Sequence, residues 1–308
     1  MSTFNEIVFF NHWHNGDLHY SRNFCRDIIS QLENKYTFKY AHKNKPYTLE
    51  DLCEHVPIET FPGVPDMSIS YAVSDNKLFI NTWVGQKDCF FYKKVGYIGL
   101  ETSYQMFESI INDINTEFNL NLKLNTDKEF YLAEIDFDKL KDFNPSKFTL
   151  DKRPILICNN FVFSNQAPNY DFTPLIDELA QIYKDEIFLV TNKLNDYVFK
   201  QPNVSYVDNL NLNEVGYLSL SAKVIVGRGS GPFCFADTKQ NLKNTNTTFI
   251  GLGDSNFGYG KENGILQIFW GYLPSERWFF EGTADLNNVL QSLKTGIQFQ
   301  LDRENKIG

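Results

Sequence analysis

Apolar and polar positions alternate along this chain with two different periods, and the switching between them predicts a strand-and-helix succession. Glu6 to Phe10 is an apolar, β-favouring run with no helical period, followed by the polar loop Asn11 to Leu18 and a helix from about His19 to Leu32. A second strand is expected over Tyr36 to His42. Two short runs, Met67 to Val73 and Lys77 to Val84, are separated by the turn residues Ser74, Asp75 and Asn76, which predicts a hairpin. Met106, Phe107, Ile110, Ile111, Ile114 and Phe118 recur at three- and four-residue steps, so Thr102 to Phe118 reads as an amphipathic helix. Phe130 to Ile135 is expected to be a further strand.

Between Asp136 and Arg153 the chain becomes charged and irregular around Asn144-Pro145-Ser146, which places a domain boundary near residue 150. Beyond it the rhythm is regular. Strands are expected at Pro154 to Cys158, Ile187 to Thr191, Val204 to Val207, Lys223 to Val226 and Thr247 to Gly251, with helices at Pro174 to Tyr183, Leu212 to Ser221 and Ala284 to Leu293. Such alternation implies a parallel sheet with helical crossovers.

Composition narrows the class. The 308 residues suffice for about two domains, and a hydrophobic content of 42% supports sizeable cores. Five cysteines are scattered without a CxxC pair, which suits a reducing, cytoplasmic setting. No apolar run approaches the roughly 18 residues a spanning helix needs, and the start of the chain lacks a secretory pattern, so at most peripheral membrane contact is expected. A net charge of −9 argues against a nucleic-acid surface.

The richest stretch runs from Lys223 to Ala236. A β-branched run meets Gly227, Arg228, Gly229, Ser230 and Gly231, and Pro232 then opens a helix. Amides and dipole at such a junction point outward together, which predicts a cradle for a nucleotide diphosphate. It is neither famous phosphate fingerprint, because no Lys-Ser or Lys-Thr pair follows and Pro232 stands where a third glycine belongs. An ordinary tight turn is the alternative. Arg228 is expected to offer a bidentate charge and Ser230 a hydroxyl. Further donor-side candidates at strand ends are Asn160, Lys193 and Asp208, together with Glu262 in a glycine-containing loop.

Early in the chain, His12, Trp13, His14 and His19 surround Gly16-Asp17. The spacing fits no common zinc pattern, so no metal site is expected. Asp136-Phe137-Asp138 spells DxD, but its acidic, lysine-containing surroundings suit a solvated face.

Two α/β halves, Asn15-Gly16-Asp17-Leu18-His19 after the first strand, and Ser230-Gly231-Pro232 before a late helix resemble GT-B glycosyltransferases, in particular the heptosyltransferase-like group of glycosyltransferase family 9. The resemblance implies two Rossmann-like domains facing a cleft: residues 1–150 on the acceptor side, 151–308 holding the nucleotide sugar. It implies that Asp17 is the base that deprotonates an acceptor hydroxyl, with His14 in reserve, and that the nucleotide-sugar donor is a co-substrate with no further cofactor. By their own chemistry the imidazoles of His12 and His19 suit contact with a glycan or other hydroxyl acceptor, and Trp13 offers either a face for a sugar to stack on or a side chain for the core. A nucleotide-sugar epimerase or hydrolase, and a non-catalytic carbohydrate- or nucleotide-binding protein, remain as alternatives on the same plan.

Overall fold

The computed structural model describes residues 4–43, 46–83, 100–162, 169–207, 209–229, 231–253, 261–262, 265–266 and 276–307. The chain divides into two compact units, Met1–Asp142 and Phe143–Gly308. The division precedes the expected boundary near 150 because Phe143, Phe148 and Leu150 pack into the core of the second unit.

In the first unit, β1 (Glu6–Phe10), β2 (Thr37–His42), β3 (Glu54–Pro57), β4 (Tyr71–Ser74) and β5 (Lys77–Asn81) form one sheet in the order β3-β2-β1-β5-β4. All neighbours are parallel except the β4–β5 hairpin, whose turn residues Asp75 and Asn76 both adopt positive φ, 49° and 58°. Asp and Asn tolerate that backbone, which is why the turn was legible. Helix α1 (Asn15–Leu32) follows β1, and α2 (Leu100–Phe118) contributes Phe107 to an aromatic stack in which Phe24 lies 4.2 Å from Phe107 and 4.1 Å from Tyr131.

The strand expected over Phe130 to Ile135 does not form; Lys128–Tyr131 is a 3₁₀ turn. Its backbone acceptors are taken by side chains of α1. Asn23 Nδ2 donates to the carbonyls of Phe130 (2.7 Å) and Leu132 (2.6 Å), and Arg26 to that of Glu134 (3.2 Å). A segment pinned this way satisfies its polar groups without a ladder.

The second unit holds β6 (Ile155–Cys158), α3 (Thr173–Ile182), β7 (Phe188–Val190), β8 (Val204–Tyr206), α4 (Leu212–Ser219), β9 (Val224–Arg228), α5 (Gly231–Ala236), α6 (Lys239–Lys243), β10 (Thr248–Leu252), the two-residue strands β11 (Lys261–Glu262) and β12 (Ile265–Leu266), β13 (Trp278–Glu281) and α7 (Leu286–Ile307). The main sheet is entirely parallel in the order β8-β7-β6-β9-β10-β13, which is a doubly wound sheet reversing between β6 and β9. The central strand β6 sends Ile155 and Ile157 into one core layer and Leu156 and Cys158 into the other, so it carries no polar face. Gly296 lets α7 approach the sheet, since a Cβ there would stand 2.6 Å from Ile250 Cδ1.

Candidate functional site

Ligands of open α/β sheets sit beyond the carboxyl ends of strands where the strand order reverses. Each unit has one such place. In the first unit it lies after β1 and β5. Asn11, fully buried, accepts the Trp13 N–H at 2.7 Å, and the chain then enters α1 with His14 as its N-cap. Trp13 is left 41% exposed, and His12 and His14 flank it, both partly buried. Asp17, in the first helical turn, accepts hydrogen bonds from its own backbone N–H and that of His14, one half of a capping box. These bonds favour the carboxylate, but burial outweighs them and raises its pKa to about 7.

The neighbouring imidazoles are held neutral. Burial lowers the pKa of His12, and burial together with Lys43 lowers that of His14. At 3.9 Å, His14 Nδ1 is too far from Asp17 Oδ2 for a hydrogen bond, so the carboxyl is not tied to the ring. His42, the last residue of β2, is pushed to about 3 by burial and by His55. His19 corrects an expectation: placed among acceptor-binding residues, it is fully buried in α1, and its Nδ1 accepts from Arg22 Nε at 3.2 Å. That arginine, also buried, bonds Asp51 and the Thr48 carbonyl, so this stretch of α1 is interior architecture. Trp83, two residues past β5 and missed by the sequence reading, comes within 5.7 Å of Trp13.

In the second unit the reversal lies between β6 and β9. Asn159 ties β6 to β7, donating to the Asn192 carbonyl (2.6 Å) and accepting its N–H (3.0 Å). Asn160 accepts from Thr191 Oγ1 at 3.1 Å, and Lys193 is exposed past the end of β7. Arg228 is the second correction. Strand β9 continues through it, and its side chain is fully buried, donating to the carbonyls of Tyr170 (2.7 Å), Asn159 (3.1 Å) and Asn160 (3.0 Å). Its guanidinium also lies 5.2–5.6 Å from the rings of Phe161, Tyr170 and Phe172. It clamps the loop after β6 rather than presenting a charge at the surface.

Gly227 lies inside β9 and serves packing: a Cβ there would stand 2.6 Å from Phe233 and 2.9 Å from Cys158 Cβ. Gly229 and Gly231 keep partly exposed backbone at the corner. The helix that begins at Gly231 has only six residues, so its dipole is short. Ser230 and Asp208 lie outside the described residues, as does the side chain of Glu262, whose backbone pairs β11 with β12. Asp136 of the DxD pattern pairs with Lys139 at 3.2 Å.

No protein-family model matches the chain, and no curated protein matches it by sequence. Solved structures do. E. coli heptosyltransferase WaaC with ADP superposes with a TM-score of 0.51 at 10% identity, covering 96% of this chain and 98% of that one. The same enzyme with ADP-2-deoxy-2-fluoro heptose gives 0.50 at 10% identity, over 97% and 99%. The fold is that of the GT-B glycosyltransferases. In the GT-B frame the first unit's reversal point brings together Asp17, His14, Trp13 and Trp83, and the second unit's brings together Asn160, Gly229 and the buried Arg228 clamp. Among the described residues no helix is long and apolar enough to cross a membrane.

Proposed function

We propose that the chain is a glycosyltransferase that moves a sugar from a nucleotide-diphosphate sugar to a hydroxyl acceptor, without a metal ion and with Asp17 as base. The observation that carries this reading is the placement of the Asp17 carboxyl in the first helical turn after β1, where the strand order reverses and beside an exposed tryptophan; burial there raises its pKa to about 7. A base tuned to ambient pH accepts the acceptor proton as the hydroxyl oxygen attacks the anomeric carbon. The bond to the diphosphate oxygen then breaks, and that oxygen leaves with the electron pair. Its charge is met by the amides around Gly229 and Gly231 and by Lys193, while Arg228 holds the loop after β6 in register. The bound ADP of E. coli heptosyltransferase WaaC supports a nucleoside diphosphate as the donor's leaving group.

The test is a panel of nucleoside diphosphates and their sugars, read first by thermal shift and then by sugar transfer. Asp17→Asn is expected to retain the nucleotide shift and to lose transfer by about a hundredfold or more. Unchanged transfer in that variant removes Asp17 as base, and donor turnover that needs no acceptor identifies an epimerase or hydrolase instead. Binding without any turnover identifies a carbohydrate- or nucleotide-binding protein.

A further inference from the structure

At the carboxyl edge of the first sheet one tripeptide pattern occurs twice on adjacent parallel strands. Asn11-His12-Trp13 follows β1, and Asn81-Thr82-Trp83 closes β5. In each, a fully buried asparagine accepts the N–H of the tryptophan two residues on, at 2.7 Å and 2.9 Å. These are Asx turns, and each fixes the point at which an indole leaves the sheet edge. Asn81 is locked further by donating to the carbonyls of Met67 (3.1 Å) and Ile69 (2.9 Å). The indoles lie 5.7 Å apart with their planes tilted by 48°, and His14 stacks on Trp13 at 6.1 Å and 29°.

The sheet's own packing does not use Trp13. One face is closed by Val8, Phe10, Ala41, Val56, Met67 and Phe79, with the partly buried Trp83 packed against that cluster, while Trp13 lies over Trp83 and stands 41% exposed. A large indole held out in water by a dedicated turn is a surface built for contact.

We propose that Trp13 and Trp83 form an aromatic shelf for a neutral sugar ring of the acceptor, which makes Trp83 a specificity-determining residue. This rests on the glycosyl-transfer reading and names its acceptor as a glycan. Sandwiching a planar ring between two others needs roughly 7 Å, twice a van der Waals contact, so the 5.7 Å spacing excludes an intercalated base and leaves the exposed face of Trp13 with the accessible part of Trp83 tilted beside it. A pyranose suits them: its C–H face is apolar and its hydroxyls lie at the rim. Asp17 approaches His14 to 3.9 Å and His14 stacks on Trp13, so the carboxyl stands beside the shelf, where a rim hydroxyl of a stacked ring would lie.

The experiment presents the full-length protein to an array of neutral oligosaccharides and their sulfated counterparts. Wild type is expected to capture neutral glycans, with Trp13→Ala and Trp83→Ala weakening capture about tenfold or more and Trp83→Phe recovering most of it. The exciton couplet of the indole pair in circular dichroism should change on glycan binding and vanish in either alanine variant. The nucleotide-diphosphate thermal shift should not move. Capture of no neutral glycan, or capture that Trp83→Ala and Trp83→Phe both leave at the wild-type level, overturns the shelf. If Trp83-dependent capture is found but no donor supports transfer, the shelf stands and the transferase reading falls. If transfer is found with an acceptor KM indifferent to Trp83→Ala, the reverse holds.

Discussion

Asp17 shows how one side chain carries both a chemical and a thermodynamic signature. Its folded pKa, about 7, lies above the unfolded value of 3.8, so between those values the folded state binds the extra proton. Its contribution to stability is therefore full below about pH 4 and is lost as pH rises through about 7. The Asp17→Asn variant should abolish that decline, seen as a wild-type-minus-variant difference in melting temperature that falls steadily from pH 4 to 8; a flat difference refutes the raised pKa. Transfer by the wild type should climb over the same range, because only the carboxylate accepts a proton. Arg228 makes a different prediction at this scale. Its removal strands three carbonyls at a buried corner, so Arg228→Ala should destabilise by at least about 2 kcal/mol in denaturant unfolding, with Arg228→Lys recovering only part. Sequence identifies an arginine beside glycines but not its burial, which follows from β9 extending two residues beyond the expected end at Val226. His19 likewise gives no local sign of burial: it lies inside beside Arg22 of the same helix, which bonds its ring and pairs with the distant Asp51.

Among the elements, the junction of β9 and α5 is the most constrained. Phe233 sits over Gly227 so closely that Gly227→Ala must displace its ring or Cys158, and it is expected to destabilise by about 1–3 kcal/mol. Adding Phe233→Leu should return part of that loss if the clash is the cause; a neutral single variant shows that the helix shifts freely. The glycines were legible, but as a loop; Gly227 is strand, and its role is close approach of a helix. Other elements mark where local pattern gives out. The segment 130–135 has strand-like composition, yet Asn23 and Arg26 capture its carbonyls. Helix α7 runs to Ile307, well beyond the apolar residues that announced it, because Val289, Leu293 and Ile297 need only one narrow buried stripe. The apolar run continues the strand pattern to Val84, whereas β5 ends at Asn81 and Trp83 donates its backbone N–H to the Asn81 side chain in a turn.

For the whole molecule, two separately cored units imply separable responses to ligand. A nucleoside diphosphate at a hundred times its dissociation constant should raise stability by about 2.7 kcal/mol. Amide exchange should slow around 159–161 and 227–229 and stay unchanged around 11–17. Protection confined to 11–17 would move the donor to the other unit. The chain's pattern of apolar runs, turn residues and glycines determined by itself that this is a two-part α/β protein, that a carboxylate follows the first strand, and that a glycine corner follows a late one. Those features are local, set by period and backbone preference over a few neighbouring residues. Only the tertiary structure decided which polar groups face inward and which distant residues meet. The burial of Arg228 and His19, the elevated Asp17 carboxyl and the pairing of Trp13 with Trp83 depend on strand register and on contacts between residues far apart in the chain, which no local periodicity encodes.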